Sequence, residues 1–148
     1  MRIVVFCLLV MASQIAARAG HANYVGGTVA TLSEGQSGTI ETTDQIFFAF
    51  YSQKASVRVS YDRINLVEYG QKVDRRYLSA ALISPILILA KKKTHFLTVG
   101  FADEQGRQQA LVFRVEKSAI RALLVCLEAR TGMKIQFQDE EARKAGKG

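Results

Sequence analysis

Two histidines, His21 and His95, and two cysteines, Cys7 and Cys126, are the side chains of this 148-residue chain best suited to act as bases, nucleophiles or soft metal ligands near neutral pH. Their spacing argues against such work. Neither histidine has a second histidine, a cysteine pair or clustered carboxylates at metal-ligand spacing around it. There is no Gly-x-Ser-x-Gly elbow and no P-loop, and Gly26-Gly27 alone cannot cradle a phosphate. His95 stands in a β-prone run, where a lone histidine is ordinarily packed or on the surface. Cys126 falls in a helical period and is expected as a small, half-buried apolar residue. No catalytic residue, metal site or cofactor is therefore expected, and the chain reads as a non-enzyme.

The most distinctive chemistry lies between Tyr77 and Ala90, an uncharged apolar stretch with Arg75-Arg76 before it and Lys91-Lys92-Lys93 after it. As one helix its 13 residues from 78 would reach only about 20 Å, short of the roughly 30 Å of a bilayer core. Pro85 argues for a break near its middle. One reading makes it a peripheral membrane contact. Leu82, Ile83, Ile86 and Leu87 then enter the lipid boundary, while Arg75, Arg76, Lys91, Lys92 and Lys93 meet anionic headgroups. A second reading buries residues 78–90 as core strands or as a loop over the sheet, with the basic residues as solvated ends. A protein-binding patch is a third.

Charge and leader set the context for these elements. The formal net charge is +7, and 49% of residues are hydrophobic, enough for one packed domain. Arg2, the apolar run Ile3 to Ala12 and the small-x-small step Ala17-Arg18-Ala19 read as a signal peptide over residues 1–19, with Ala22 as a second cleavage point and an uncleaved anchor as the alternative. Removing residues 1–19 takes away Arg2 and Arg18 and no acid, leaving 18 basic and 13 acidic residues, a formal +5. An exported location follows, periplasmic or secreted. A mildly basic exported domain suits an anionic surface. Aromatic residues are not interleaved with basic ones as stacking platforms require, so no nucleic-acid partner is expected. Only Cys126 survives processing, so packing alone must hold the fold.

The pattern predicts a mainly β, α+β domain over residues 20–137, a bent antiparallel sheet or partly open barrel of about six or seven strands capped by one amphipathic helix. Tyr24 to Val29 is a first strand whose glycine pair marks a bulge. Strands follow from Gly38, over Ile46 to Tyr51, over Val57 to Tyr61 and over Asn65 to Gly70. Thr94 to Ala102 and Gln108 to Glu116 form a hairpin about Asp103-Glu104-Gln105-Gly106, with His95, Leu97, Val99 and Phe101 on one face and Leu111, Phe113 and Val115 answering them. Ile120, Leu123, Leu124 and Leu127 recur with helical period, from an N-cap at Ser118 to a stop at Gly132. Ile135 to Phe137 adds a short extended piece, and residues 138–148 are expected as a charged flexible tail.

This order of elements resembles the pleckstrin-homology-like superfold, including GRAM-type and bacterial PH-like domains, over roughly residues 24–137. The likeness is carried by Val57 to Ile64, Val67-Glu68-Tyr69-Gly70, the hairpin at Asp103 to Gly106 and the helix through Leu127. It implies a helix plugging one end of a bent barrel. Lipid-binding members carry basic residues in the loop after the first strand; here Ser33-Glu34-Gly35-Gln36-Ser37 is not basic, and phosphoinositide recognition is not implied. The chain also resembles uncharacterised exported bacterial proteins through Tyr24 to Thr28, Glu68 to Lys72, Lys93 to Thr98 and Asp139 to Lys144. Two functions are thus expected to compete. One is a membrane-surface adaptor; the other is a soluble module that binds a protein or peptide at a sheet edge or groove.

Overall fold

The structure, a computed structural model, describes residues 20–71 and 94–147. Eight strands form one sheet there: β1 (Gly20–Gly27), β2 (Ser37–Glu41), β3 (Phe47–Ser52), β4 (Ser56–Ser60), β5 (Ile64–Gly70), β6 (His95–Ala102), β7 (Gln108–Val115) and β8 (Gln136–Phe137). Tyr61–Arg63 makes a 3-10 turn between β4 and β5, and two helices follow the hairpin, α1 (Lys117–Thr131) and α2 (Glu140–Lys147). The strand order is β4-β3-β2-β1-β7-β6-β5-β8. Every neighbouring pair is antiparallel except β5 with β8. Two meanders, β1 to β4 and β5 to β7, therefore meet where β1 pairs with β7. The domain is mainly β, as the pattern predicts; it has eight strands and two short helices where about six or seven strands and one helix are expected, and its sheet is mixed, not wholly antiparallel, and does not close.

Alternation along the strands decides which side chains face the core. In the β6–β7 hairpin Leu97 lies opposite Phe113 and Val99 opposite Leu111, and all four are fully buried. The turn is held by Asp103, whose Oδ1 accepts the backbone N–H groups of Gln105 (3.0 Å) and Arg107 (2.8 Å). Ile40, Phe48 and Phe50 continue the same core from the other meander, with the Phe50 and Phe113 rings 4.9 Å apart. Between Tyr24 and Gly26 the β1–β7 register shifts, the bulge expected from the glycine pair. Gly27 is needed there because a Cβ would lie 2.2 Å from the carbonyl oxygen of Ala110.

Helix α1 covers this face. Ile120, Leu123, Leu124 and Leu127 are at most 3% exposed and belong to the core. The helix stops at Gly132, whose left-handed backbone (φ 70°) lets its N–H bond the carbonyl of Glu128. Its start differs from expectation. Glu116, not Ser118, is the N-cap, because the backbone is still extended at Glu116 (φ −64°, ψ 142°) and helical from Lys117; no side chain caps it. Ser118 sits exposed inside the first turn.

A second group of buried residues, Val25, Phe96 and Val112 with Thr98 and Glu68, lies outside that core. Strand alternation puts Phe96, Thr98, Val112 and Glu68 on the opposite face.

The C-terminal stretch is a correction too. The charged tail expected from residue 138 is largely the helix α2. Asp139 Oδ1 accepts the Ala142 N–H at 2.7 Å, an N-cap. Ala142 is fully buried, and Gly146 packs so closely on Phe137 that a Cβ would come within 2.7 Å of its ring. Gln138 ties the approach to β5: its backbone N–H bonds Tyr69 O (3.2 Å) and its side chain bonds Glu68 (3.0 Å). Charge density signalled a solvated tail, but two small residues at helical spacing, Ala142 and Gly146, are what dock it.

Replacing Leu127 with Ala should lower the unfolding free energy by about 2–5 kcal/mol. Placing Asp at Ala142 should cost roughly 1–3 kcal/mol, the desolvation of an unpaired buried polar group. Urea midpoints measure both. An Ala142→Asp midpoint equal to wild type would mean that α2 is not docked.

Candidate functional site

The residues expected to contact lipid, Arg75, Arg76, Leu82, Ile83, Ile86, Leu87, Lys91, Lys92 and Lys93, lie outside the described residues. The structure does place the two points between which that stretch runs. Gly70 pairs with Phe96, so β5 ends where β6 begins. Strand β7 finishes beside them, since Val115 lies opposite His95. It also lies opposite Ala22 at the start of β1. Helix α1 opens two residues later at Lys117. Five elements thus bring their ends to one rim of the sheet.

A groove of about 330 Å³ runs along this rim, lined by His21, Asn23, His95, Arg114, Glu116 and Lys117, with Thr94 at its edge. Both histidines of the chain meet here, 74 positions apart in sequence. Arg114, Lys117 and His21 are exposed, as is Glu116, the groove's one acid. The first turn of α1 carries no acidic residue to offset the partial positive charge of a helix start. Arg121, one turn further on, is exposed and close enough to Tyr69 to act on its hydroxyl.

His95 is the buried member of the group, 8% exposed. Its ring stacks on Tyr69 at 5.9 Å and 12°, and its Nδ1 lies 2.5 Å from the Tyr69 hydroxyl. Phe137 closes on the other side of Tyr69, edge to face at 6.1 Å. Burial pushes the Tyr69 hydroxyl above its ordinary pKa, with a hydrogen bond from Gln71 pulling the other way. The phenol thus keeps its proton at physiological pH. Burial also pulls His95 down, and the ammonium of Lys117 adds to that. The neutral ring and the phenol share one hydrogen bond at Nδ1, in which either group can be the donor.

A larger groove, about 710 Å³, crosses the β1–β2 loop and the β3–β4 turn, where Ser33, Glu34, Gln36, Tyr51, Gln53 and Lys54 line it. One acid and one base there offset each other, so it offers hydrogen bonds without net charge. Among the described residues no group of three or more His, Cys, Asp and Glu side chains could hold a metal ion. Cys126 is half-buried on α1 with its Sγ 3.7 Å from Thr42 O, a packing role. The chemistry the rim can do is therefore attraction of an anion by two exposed cations, Arg114 and Lys117, with His95 on the core face of the sheet and Arg114 on the other.

Sequence reasoning treated the two histidines as isolated. The hairpin register, fixed by the turn at Asp103 to Gly106, would have put His95 opposite Val115 at the end of β7. His21 carried no such signal: only the pairing of β1 with β7 brings it in.

A histidine held below its ordinary pKa of about 6.5 favours unfolding in acid. Above that value the unfolded ring is neutral as well, and the folded state pays nothing. As pH falls through the window below 6.5 the unfolded chain takes up a proton that the folded ring resists, and stability declines until the folded ring protonates. The urea midpoint should drop between pH 7.5 and pH 5, and the drop should shrink in His95→Gln. An equal drop in that variant would assign the effect to other groups.

No protein-family model matches the chain, and no curated protein is significantly similar to it.

Proposed function

We propose that this chain is a non-enzymatic adaptor of the bacterial export compartment that rests on an anionic membrane surface through the rim where β5 ends and β6 begins. The observation that carries the reading is the gathering of positive charge at that rim. Arg114 and Lys117 stand there, and Arg75, Arg76, Lys91, Lys92 and Lys93 fall in the sequence between β5 and β6. Each such cation is worth up to ~1 kcal/mol near an anionic leaflet, and the sum acts only within a Debye length of roughly 10 Å. Leu82, Ile83, Ile86 and Leu87 supply apolar contact between the two basic clusters.

A PH-like fold is part of the proposal. Seven antiparallel strands followed by α1 across the inner face support it; β8 and α2 are additions to the pattern. The competing function, a soluble module that pairs a peptide with a sheet edge, draws on β4, the outermost strand of its meander.

Flotation decides between them. The chain should float with phosphatidylglycerol-containing vesicles at low salt, lose most of that binding at high salt, and ignore neutral vesicles. Ile86→Asp with Leu87→Asp should abolish flotation, and Arg114→Glu with Lys117→Glu should reduce it severalfold. No flotation of wild type on anionic vesicles at low salt rejects the membrane reading in favour of the peptide-binding one.

A further inference from the structure

We infer that the groove between the β1–β2 loop and the β3–β4 turn is a carbohydrate site, in which the exposed ring of Tyr51 stacks on a pyranose while the Thr39 hydroxyl and the Gln53 amide bind its hydroxyl groups. The inference goes beyond the membrane reading and uses none of the cations on which that reading rests.

Strand register carries the argument. Thr39 lies opposite Tyr51 on one side and opposite His21 on the other. Directly opposed residues project from the same face, with Cβ atoms about 4.5–5.5 Å apart. Their chain neighbours Ile40 and Phe50 are fully buried in the core, so this row stands on the outer face of the sheet. All three side chains line one groove of about 710 Å³, within the roughly 300–1,000 Å³ of small-molecule sites. Tyr51 is 42% exposed, and it is the one aromatic ring among the large apolar side chains left open in the described residues.

One wall is built in advance. The side-chain carbonyl of Gln36 accepts the Ser33 backbone N–H at 3.1 Å, and its amide donates to the Ser52 hydroxyl. That hydroxyl in turn donates to Ala55 O at 2.7 Å, which ties the β1–β2 loop to the β3–β4 turn. A wall already ordered costs less to bind against. The Thr39 hydroxyl, the Tyr51 phenol and the Gln53 amide line the same groove and have no hydrogen-bond partner among the described residues.

The class of ligand follows from what the groove does and does not offer. Its acid and base, Glu34 and Lys54, are of opposite sign, so neither an anion nor a cation is favoured. A peptide that joins as an extra strand needs a sheet edge, but β2 is paired on both sides and the groove lies on its face. Hydroxyl and amide side chains each donate and accept hydrogen bonds, which is what the hydroxyls of a neutral sugar need. An aromatic face covers the C–H side of a pyranose and removes apolar area from water without adding charge. A row of side chains standing off a sheet suits an extended, equatorially linked oligosaccharide.

The test titrates the full chain with cellotriose and follows the tyrosine ring resonances. Cellotriose should saturate, shifting the Tyr51 ring and leaving the buried Tyr69 ring unmoved. Tyr51→Ala should weaken binding roughly tenfold, whereas Tyr51→Phe, which keeps the ring, should bind nearly as wild type does. Gln53→Ala, at an exposed turn position, should weaken it severalfold, the worth of one hydrogen bond, with an unchanged urea midpoint. Lys117→Gln, at the rim, should leave affinity as it is. Absence of saturation overturns the inference. So does a Tyr51→Ala chain that binds as wild type does, or a blocked trialanine peptide that shifts the Tyr51 ring as strongly as the sugar.

Discussion

Antiparallel pairing of β1 with β7 is the contact on which the rest of the molecule depends. Without it the chain is two separate meanders, each with one apolar face and too few strands to bury it. With it, Ile40, Phe48 and Phe50 from one meander and Leu97, Leu111 and Phe113 from the other share a single core, and the stripe on α1 has one continuous surface to cover. The pairing tolerates a bulge between Tyr24 and Gly26. The extra residue turns β1, and only a glycine at position 27 can approach Ala110 as closely as the pairing requires.

The same contact creates the rim. It sets the start of β1 beside the end of β7, which the hairpin has already set beside the start of β6. A buried imidazole, two exposed cations and a second histidine then share a groove. A cation in open water is screened within roughly 10 Å. Tyr69 links this rim to the far edge of the domain, because the face that stacks on His95 belongs to the strand that carries β8. Phe137 of β8 and Gly146 of the C-terminal helix pack on Tyr69, and so hold the ring that stacks on His95.

That support explains why residues 139–147 are not a free tail. Their composition is charged, and composition is what a reader of sequence weighs first. Yet a helix can be charged on most of its surface and still dock if the contacting positions are small enough to let backbones approach. Ala142 and Gly146 meet that condition, and the Asp139 cap starts the helix where Phe137 leaves the sheet. Ser118 failed as a cap for a related reason: N-cap preference is a modest bias, and the extended backbone of β7 runs only as far as Glu116 before the chain must turn over the core.

Periodicity determined much of this protein directly. The hairpin of Thr94 to Glu116, the alternation at Val57 to Tyr61, the bulge at the glycine pair and the stripe of Ile120, Leu123, Leu124 and Leu127 all follow from local patterns, because each is set by contacts a few residues apart. What local pattern does not encode is which distant strands pair. The β1–β7 and β5–β8 contacts were decided by the free energy of burying whole faces together. Those contacts bring His21 and Arg114 to one rim and Phe137 to Tyr69.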